Sequence, residues 1–303
     1  MTVVRDFVGY GMNPPRVRWP NGARIAVQMA INYEEGGEYS LLDGDPHREL
    51  SGDMNSPVAI DKRDLMNESW FEYGSRVGIW RLLAMFDRYK IKGVVLATGL
   101  ALERNPQVAA EIVRRGHEVM GHGYRWVEHH KMTRDQERES IAKSVETLKR
   151  LTGQRPVGWM PRYGPSLNTR ELLVEEGGFL YDSCYAVNDD LPYYVEVHGK
   201  QWLVVPYAMD VNDARTFRGG SGGLADFYNT MKNAFDTLYE EGETHPKMMT
   251  VGLHCRASGR PAAARVVKEF LDYATQFKDV WFARRIDIAQ CWREQFPPPA
   301  IKS

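Results

Sequence analysis

Glu34 and Glu35 stand side by side at the end of an apolar run, residues 25–32, and Gly36 and Gly37 follow at once. Two adjacent carboxylates resist ionising together unless a cation lies between them. Neighbours on a strand point to opposite faces, but a turn at the two glycines can bring both carboxylates toward one pocket. There one could act as a metal ligand and the other as a general base. A solvated Glu-Glu turn is the competing reading.

Three further stretches carry reactive side chains. His122 closes "HEVMGH", His129 follows seven residues on, and His130 sits beside it. Imidazole is the commonest protein ligand for zinc. With Glu35 nearby, His122 and His129 make a two-histidine, one-carboxylate set that leaves a position for water. Bound zinc would lower the pKa of that water toward about 7. A loop-defined spacing of this kind has little specificity by itself, and ordinary core or surface roles compete with it. His254 ends "VGLH". It reads either as a core imidazole satisfied by a carbonyl or as a general acid that protonates a leaving nitrogen. Arg162, Arg256 and Arg260 could hold an anionic or carbonyl-rich small substrate, or equally brace loop carboxylates. His117, in a turn, reads as structural and His130 as a bystander.

The elements that must position these groups follow from periodicity. Residues 23–33 are apolar on both faces, as a buried parallel strand requires. Ile79, Leu82, Leu83 and Phe86 fall at i, i+3, i+4 and i+7 and mark an amphipathic helix. Residues 34–67 between them form a polar excursion, a length common in functional loops. From residue 93 onward strands and helices alternate, with a capping box at Thr133 and Gln136 announcing one helix. About seven such alternations without a composition break predict one α/β unit over 1–303, a closed or nearly closed barrel. Residues 1–22 are its N-terminal extension and 35–68 a long loop excursion. Barrel sites form at the C-terminal ends of the strands. Glu34-Glu35, the His122 loop, "MPRYGPS", "DSCY" and "LHCR" all fall at such ends. Residues 210–223, which include "RGGSGG", read as a lid or its hinge.

The bulk composition narrows the partners. Among 303 residues, 43% are apolar and 26% charged, with a net charge of −1, which leaves no general attraction to nucleic acid or anionic lipid. No apolar run approaches the roughly 18 residues needed to span a bilayer, and no signal peptide is legible. Cys184, Cys255 and Cys291 are too widely spaced for a disulfide framework or a metal knuckle. A cytoplasmic protein with neither nucleic acid nor membrane as partner is expected.

Taken in order, these segments resemble the polysaccharide deacetylase (NodB-like) family, from about residue 25 to 284. Its strand-end Asp-Asp pair resembles Glu34-Glu35, and its histidine-rich motif resembles the stretch from His122 to His129. Its Arg-x-Pro-Tyr-Gly motif is similar to "MPRYG", with Arg162 displaced past the proline. Asp182-Ser183 and Leu253-His254 match two later motifs. Both family aspartates are glutamates here, and Trp126 stands where the second histidine usually falls. "NYEEGGE", "HGYRW", "EEGGFLYD", "DDLPY" and "GLHCR" instead resemble the allantoinase and cyclic imide hydrolase branch.

The resemblance implies a distorted (β/α)7-type barrel that hydrolyses the C–N bond of a small cyclic amide. It also implies a divalent metal, zinc first. Some members of the branch work without metal and lack a histidine matching His129, so the presence of His129 favours a metal. In that scheme Glu35, His122 and His129 hold the ion, Glu34 is the base and His254 the acid. Arg162, Tyr163, Arg256 and Trp126 hold the flat substrate. A homodimer or homotetramer is expected from the branch alone. Two alternatives stay open: a carbohydrate N-deacetylase releasing acetate, and a silent small-molecule binding protein that kept the barrel.

Overall fold

All nine residues of Ile25–Tyr33 are buried, because this strand has partners on both edges and packed layers on both faces. The computed structural model describes residues 5–50, 56–218 and 223–300. The strands are β1 (Ile25–Tyr33), β2 (Val94–Ala97), β3 (Glu118–Gly121), β4 (Gly158–Trp159), β5 (Tyr181–Asp182), β6 (Tyr193–Val197), β7 (Lys200–Val204), β8 (Lys247–His254) and β9 (Val280–Phe282). The helices are α1 (Leu65–Tyr73), α2 (Ile79–Arg88), α3 (Gly99–Arg104), α4 (Pro106–Arg114), α5 (Arg134–Thr152), α6 (Thr169–Glu176), α7 (Asp213–Arg218), α8 (Leu224–Glu241), α9 (Pro261–Ala274) and α10 (Arg285–Gln295).

The sheet runs β6-β7-β5-β4-β3-β2-β1-β8, with β9 also on β1. Every pairing is parallel except the β6–β7 hairpin. The sheet curls into a distorted α/β barrel, as the sequence leads one to expect. On the outer side of β8 an isolated parallel bridge pairs Gly252 with Asn212, which lies beyond β7 and outside the named strands. Along β1, Ile25, Val27, Met29, Ile31 and Tyr33 pack outward with Leu82, Phe86, Phe235 and Phe270 of the helical layer. Ala26 and Ala30 face inward with Val94, Leu96 and Met120. Gln28 shares that inward face and accepts a 2.5 Å bond from the buried Arg285, so the lumen is partly polar.

Three segments differ from expectation. The excursion after β1 ends earlier, since Asp64 caps α1 by accepting from the Met66 and Asn67 amides. A π-helical turn, Gly74–Gly78, then carries α1 into α2. The hairpin strand β6 carries too weak an alternation to stand out in the sequence. Part of the expected lid, 213–218, is helix α7; residues 219–222 lie outside the described residues, as do 51–55 of the excursion. The Thr133–Gln136 capping box is present at the start of α5. No helix among the described residues is long and apolar enough to cross a membrane.

Candidate active site

Strand parity decides where the two glutamates go. Asn32 and Glu34 continue the inward row of β1 and line a pocket at the strand ends. Glu35 continues the outward row. The reversing turn forms only beyond it: the Gly37 amide donates to the Glu34 carbonyl at 2.7 Å, and Gly36 takes a φ of 94° that favours glycine. The turn therefore comes one residue too late to swing Glu35 inward.

Glu34 is the hub of the pocket floor. Its Oε1 lies 3.1 Å from His122 Nε2 and 3.5 Å from His254 Nε2, and its Oε2 accepts from Arg256 Nη1 at 2.7 Å. Burial by itself would raise this carboxyl. The charges of Arg256 and His254 and the bond from His122 outweigh it and hold Glu34 well below the usual carboxylate range. On its other side His122 Nδ1 meets the Met160 carbonyl. That oxygen can only accept, so Nδ1 is the donor in this contact.

His254 arrives from β8, directly across the ladder from Asn32. Its Nδ1 donates to Asp213 Oδ1 at 2.6 Å. Asp213 Oδ2 accepts from the His254 amide at 2.7 Å and from Ser258 Oγ at 2.6 Å. Burial would lower the imidazole pKa, but Asp213 and then Glu34 push it up to about 9. His254 is thus an imidazolium at neutral pH, with Nε2–H turned toward Glu34 and the pocket.

The pocket encloses about 370 Å³, with walls that include Trp126, Met160, Arg162, Tyr163, Tyr185 and Met209. Arg162 bonds Glu49 through two contacts of 2.7 and 2.8 Å and the Trp126 carbonyl at 2.9 Å, and stacks 3.8 Å over the Trp126 ring. These contacts brace it in the pocket wall. Tyr163 stands at the mouth, 86% exposed. Arg256, expected to bind substrate, is fully buried and does not line the pocket; it lies behind Glu34 against the Phe71 and Trp126 rings. Arg260 stacks on Trp70 and Tyr73.

Comparison with known proteins identifies the scaffold. A Schizosaccharomyces pombe protein named as a polysaccharide deacetylase is 38% identical over 98% of this chain and 99% of its own. A family model for polysaccharide deacetylase matches residues 67–181. This chain belongs to the polysaccharide deacetylase family. Within the solved members, a Pseudomonas aeruginosa structure described as a polysaccharide deacetylase superposes with TM-score 0.92 at 46% identity, covering 97% of this chain and 99% of that one. The PuuE allantoinase structure superposes with TM-score 0.93 at 42% identity, covering 99% and 100%.

Against the deacetylase motifs, the side chains expected to ligate a metal part company. Glu35 Oε1 accepts the Arg256 amide and Oε2 the Glu34 amide, each at 3.0 Å. Its carboxylate is directed at Gly74, where any Cβ would collide with it. Burial, with the Glu34 charge adding to it against Arg256, raises Glu35 to about 7. His129 is fully buried, bonds Glu137 Oε1 through Nδ1 at 3.1 Å and packs against Trp159. It sits on a short helical turn, not on a strand, and does not line the pocket. Only His122 of the expected three reaches the floor. Among the described residues no group of three or more His, Cys, Asp or Glu side chains could hold a metal ion. The donor set therefore does not fit a divalent ion.

Three working residues escape a sequence reading. Asp213 orients His254 from a stretch that reads as lid, and Glu49 reaches Arg162 from inside the excursion. Glu137, in the first turn of α5, gathers His129, Ser166 and Thr169. Only the exposed-face pattern of α5 hints at the last, since position 137 breaks it. His117, as expected, has a structural role, accepting the Gly93 amide at 3.1 Å.

Proposed function

We propose that the protein hydrolyses the C–N bond of a small cyclic amide, opening an imide or ureide ring by attack of water on a ring carbonyl. The observation that carries this reading is the juxtaposition of an ionised Glu34 and a protonated His254 at the floor of a small pocket. A volume of about 370 Å³ is near the low end of small-molecule sites, roughly 300–1,000 Å³. Its aromatic walls suit one flat ring.

In this mechanism Glu34 Oε1 takes a proton from water as the oxygen adds to the carbonyl carbon. His122, anchored by the Met160 carbonyl, holds Glu34 Oε1 in position through Nε2. His254 Nε2–H then protonates the ring nitrogen as the C–N bond breaks, leaving a carboxylic acid and an amide or urea on one open chain. Asp213 keeps the His254 ring oriented throughout. None of these steps calls on a divalent ion.

Carbohydrate N-deacetylation is the second reading, favoured by the names of the relatives. A panel of succinimide, phthalimide, hydantoin, allantoin and an acetylated chito-oligosaccharide, run with and without chelator, separates the two. Ring opening that survives chelation supports the proposal. Fast acetate release with every ring compound inert refutes it.

A further inference from the structure

Two neighbouring carboxylates in a dry environment call for a cation between them, and β1 ends in such a pair. The structure supplies the cation from the chain itself. Arg256 Nη1 is 2.7 Å from Glu34 Oε2 and 3.6 Å from Glu35 Oε1. The loop of contacts closes through the backbone, because Glu35 accepts both the Arg256 and the Glu34 amides. The guanidinium carbon lies 4.5 Å over Phe71 and 5.0 Å over Trp126, geometry in which an aromatic face attracts a cation. The turn that presents Arg256 is held by close backbone packing. A Cβ on either Gly78 or Gly259 would strike the Cys255 carbonyl.

We propose that Arg256 is the built-in cation of this site, a positioning residue that holds Glu34 aimed and charged from behind the pocket. It takes the place that the sequence pattern assigns to a divalent metal. The inference deepens the ring-hydrolase reading and rests on it for its kinetic test. Arg256 acts through Glu34, since it does not line the pocket, so its loss bears on turnover rather than on substrate binding.

The test measures ring opening by the full chain. Arg256→Ala loses kcat by on the order of a hundredfold or more, with KM within about threefold. Guanidinium ion at millimolar concentration restores part of that rate, which a purely structural defect would not allow. Arg256→Lys falls in between, because it keeps the charge but not the planar fork. A raised KM with kcat preserved overturns the proposal. So does a wild-type enzyme whose rate disappears on metal removal and returns with added zinc or manganese. Denaturant melts give an independent arm, needed if Arg256→Ala does not fold. Glu34→Gln and Arg256→Met each lower the midpoint by removing one partner of the 2.7 Å Glu34–Arg256 contact, while the double variant recovers part of the summed loss. Simply additive losses overturn the pairing. A wild-type protein inert on every ring compound sinks the functional reading instead, and the melts alone then decide the role of Arg256.

Discussion

Asp213→Asn isolates the group that makes His254 an acid. His254 moves from an ordinary 6.5 to about 9: burial pulls it down, while Asp213 first and Glu34 second lift it. That rise corresponds to about 3 kcal/mol in favour of the imidazolium, at 1.36 kcal/mol per unit. The folded value lies above the unfolded one. This stabilisation is therefore fully present below pH 6.5 and is lost as pH rises through about 9. Asparagine keeps the size of Asp213 and removes its charge, so burial is opposed by Glu34 alone and the imidazole pKa falls from about 9. At pH 8 the acid form then falls, by roughly thirtyfold at most, the limit in which the ring returns all the way to 6.5. The assay is kcat/KM against pH from 5 to 10, backed by NMR titration of the His254 ring. The alkaline limb moves from about 9 in wild type to a lower pH in the variant. Ser258→Ala removes only a hydroxyl donor to the same carboxylate and is the control. An Asp213→Asn profile whose alkaline limb stays near 9 would refute the reasoning.

Other perturbations follow from the same contacts. Glu34→Gln lowers kcat by about 10²–10⁴ with little change in KM, read from steady-state kinetics on whichever ring compound turns over. Glu49→Gln removes the two-contact carboxylate from the buried Arg162, leaving Glu128 at 3.7 Å, and costs about 1–3 kcal/mol. A urea melt measures that cost, and KM rises as the pocket wall loosens. Gly74→Ala drives a methyl into the Glu35 carboxylate and costs about 1–3 kcal/mol, visible as a lower thermal midpoint with secondary structure retained.

Much of the barrel is legible because buried parallel strands announce themselves as apolar runs, and rim chemistry collects where those runs stop. Glu34, His122 and His254 were all placed by that logic, and the pocket contains all three. The same alternation rule, carried one residue further, sends Glu35 to the opposite face; two glycines after it cannot undo the parity of the strand before it. His129 lies beyond a loop whose path no periodicity records, so its distance from His122 along the chain says nothing of its position in space. Asp213 and Glu49 were invisible for a related reason. Each sits in a segment without a repeat, and each acts on the site through a partner 41 or 113 residues away.

The strand that carries Glu34 is hydrogen-bonded to three others, β2, β8 and β9, and has no exposed residue. Its amides should exchange with deuterated solvent only when the entire barrel opens. Heating should then leave the chemistry intact up to the melting transition and abolish it there in one step, with no earlier decline as the base works loose.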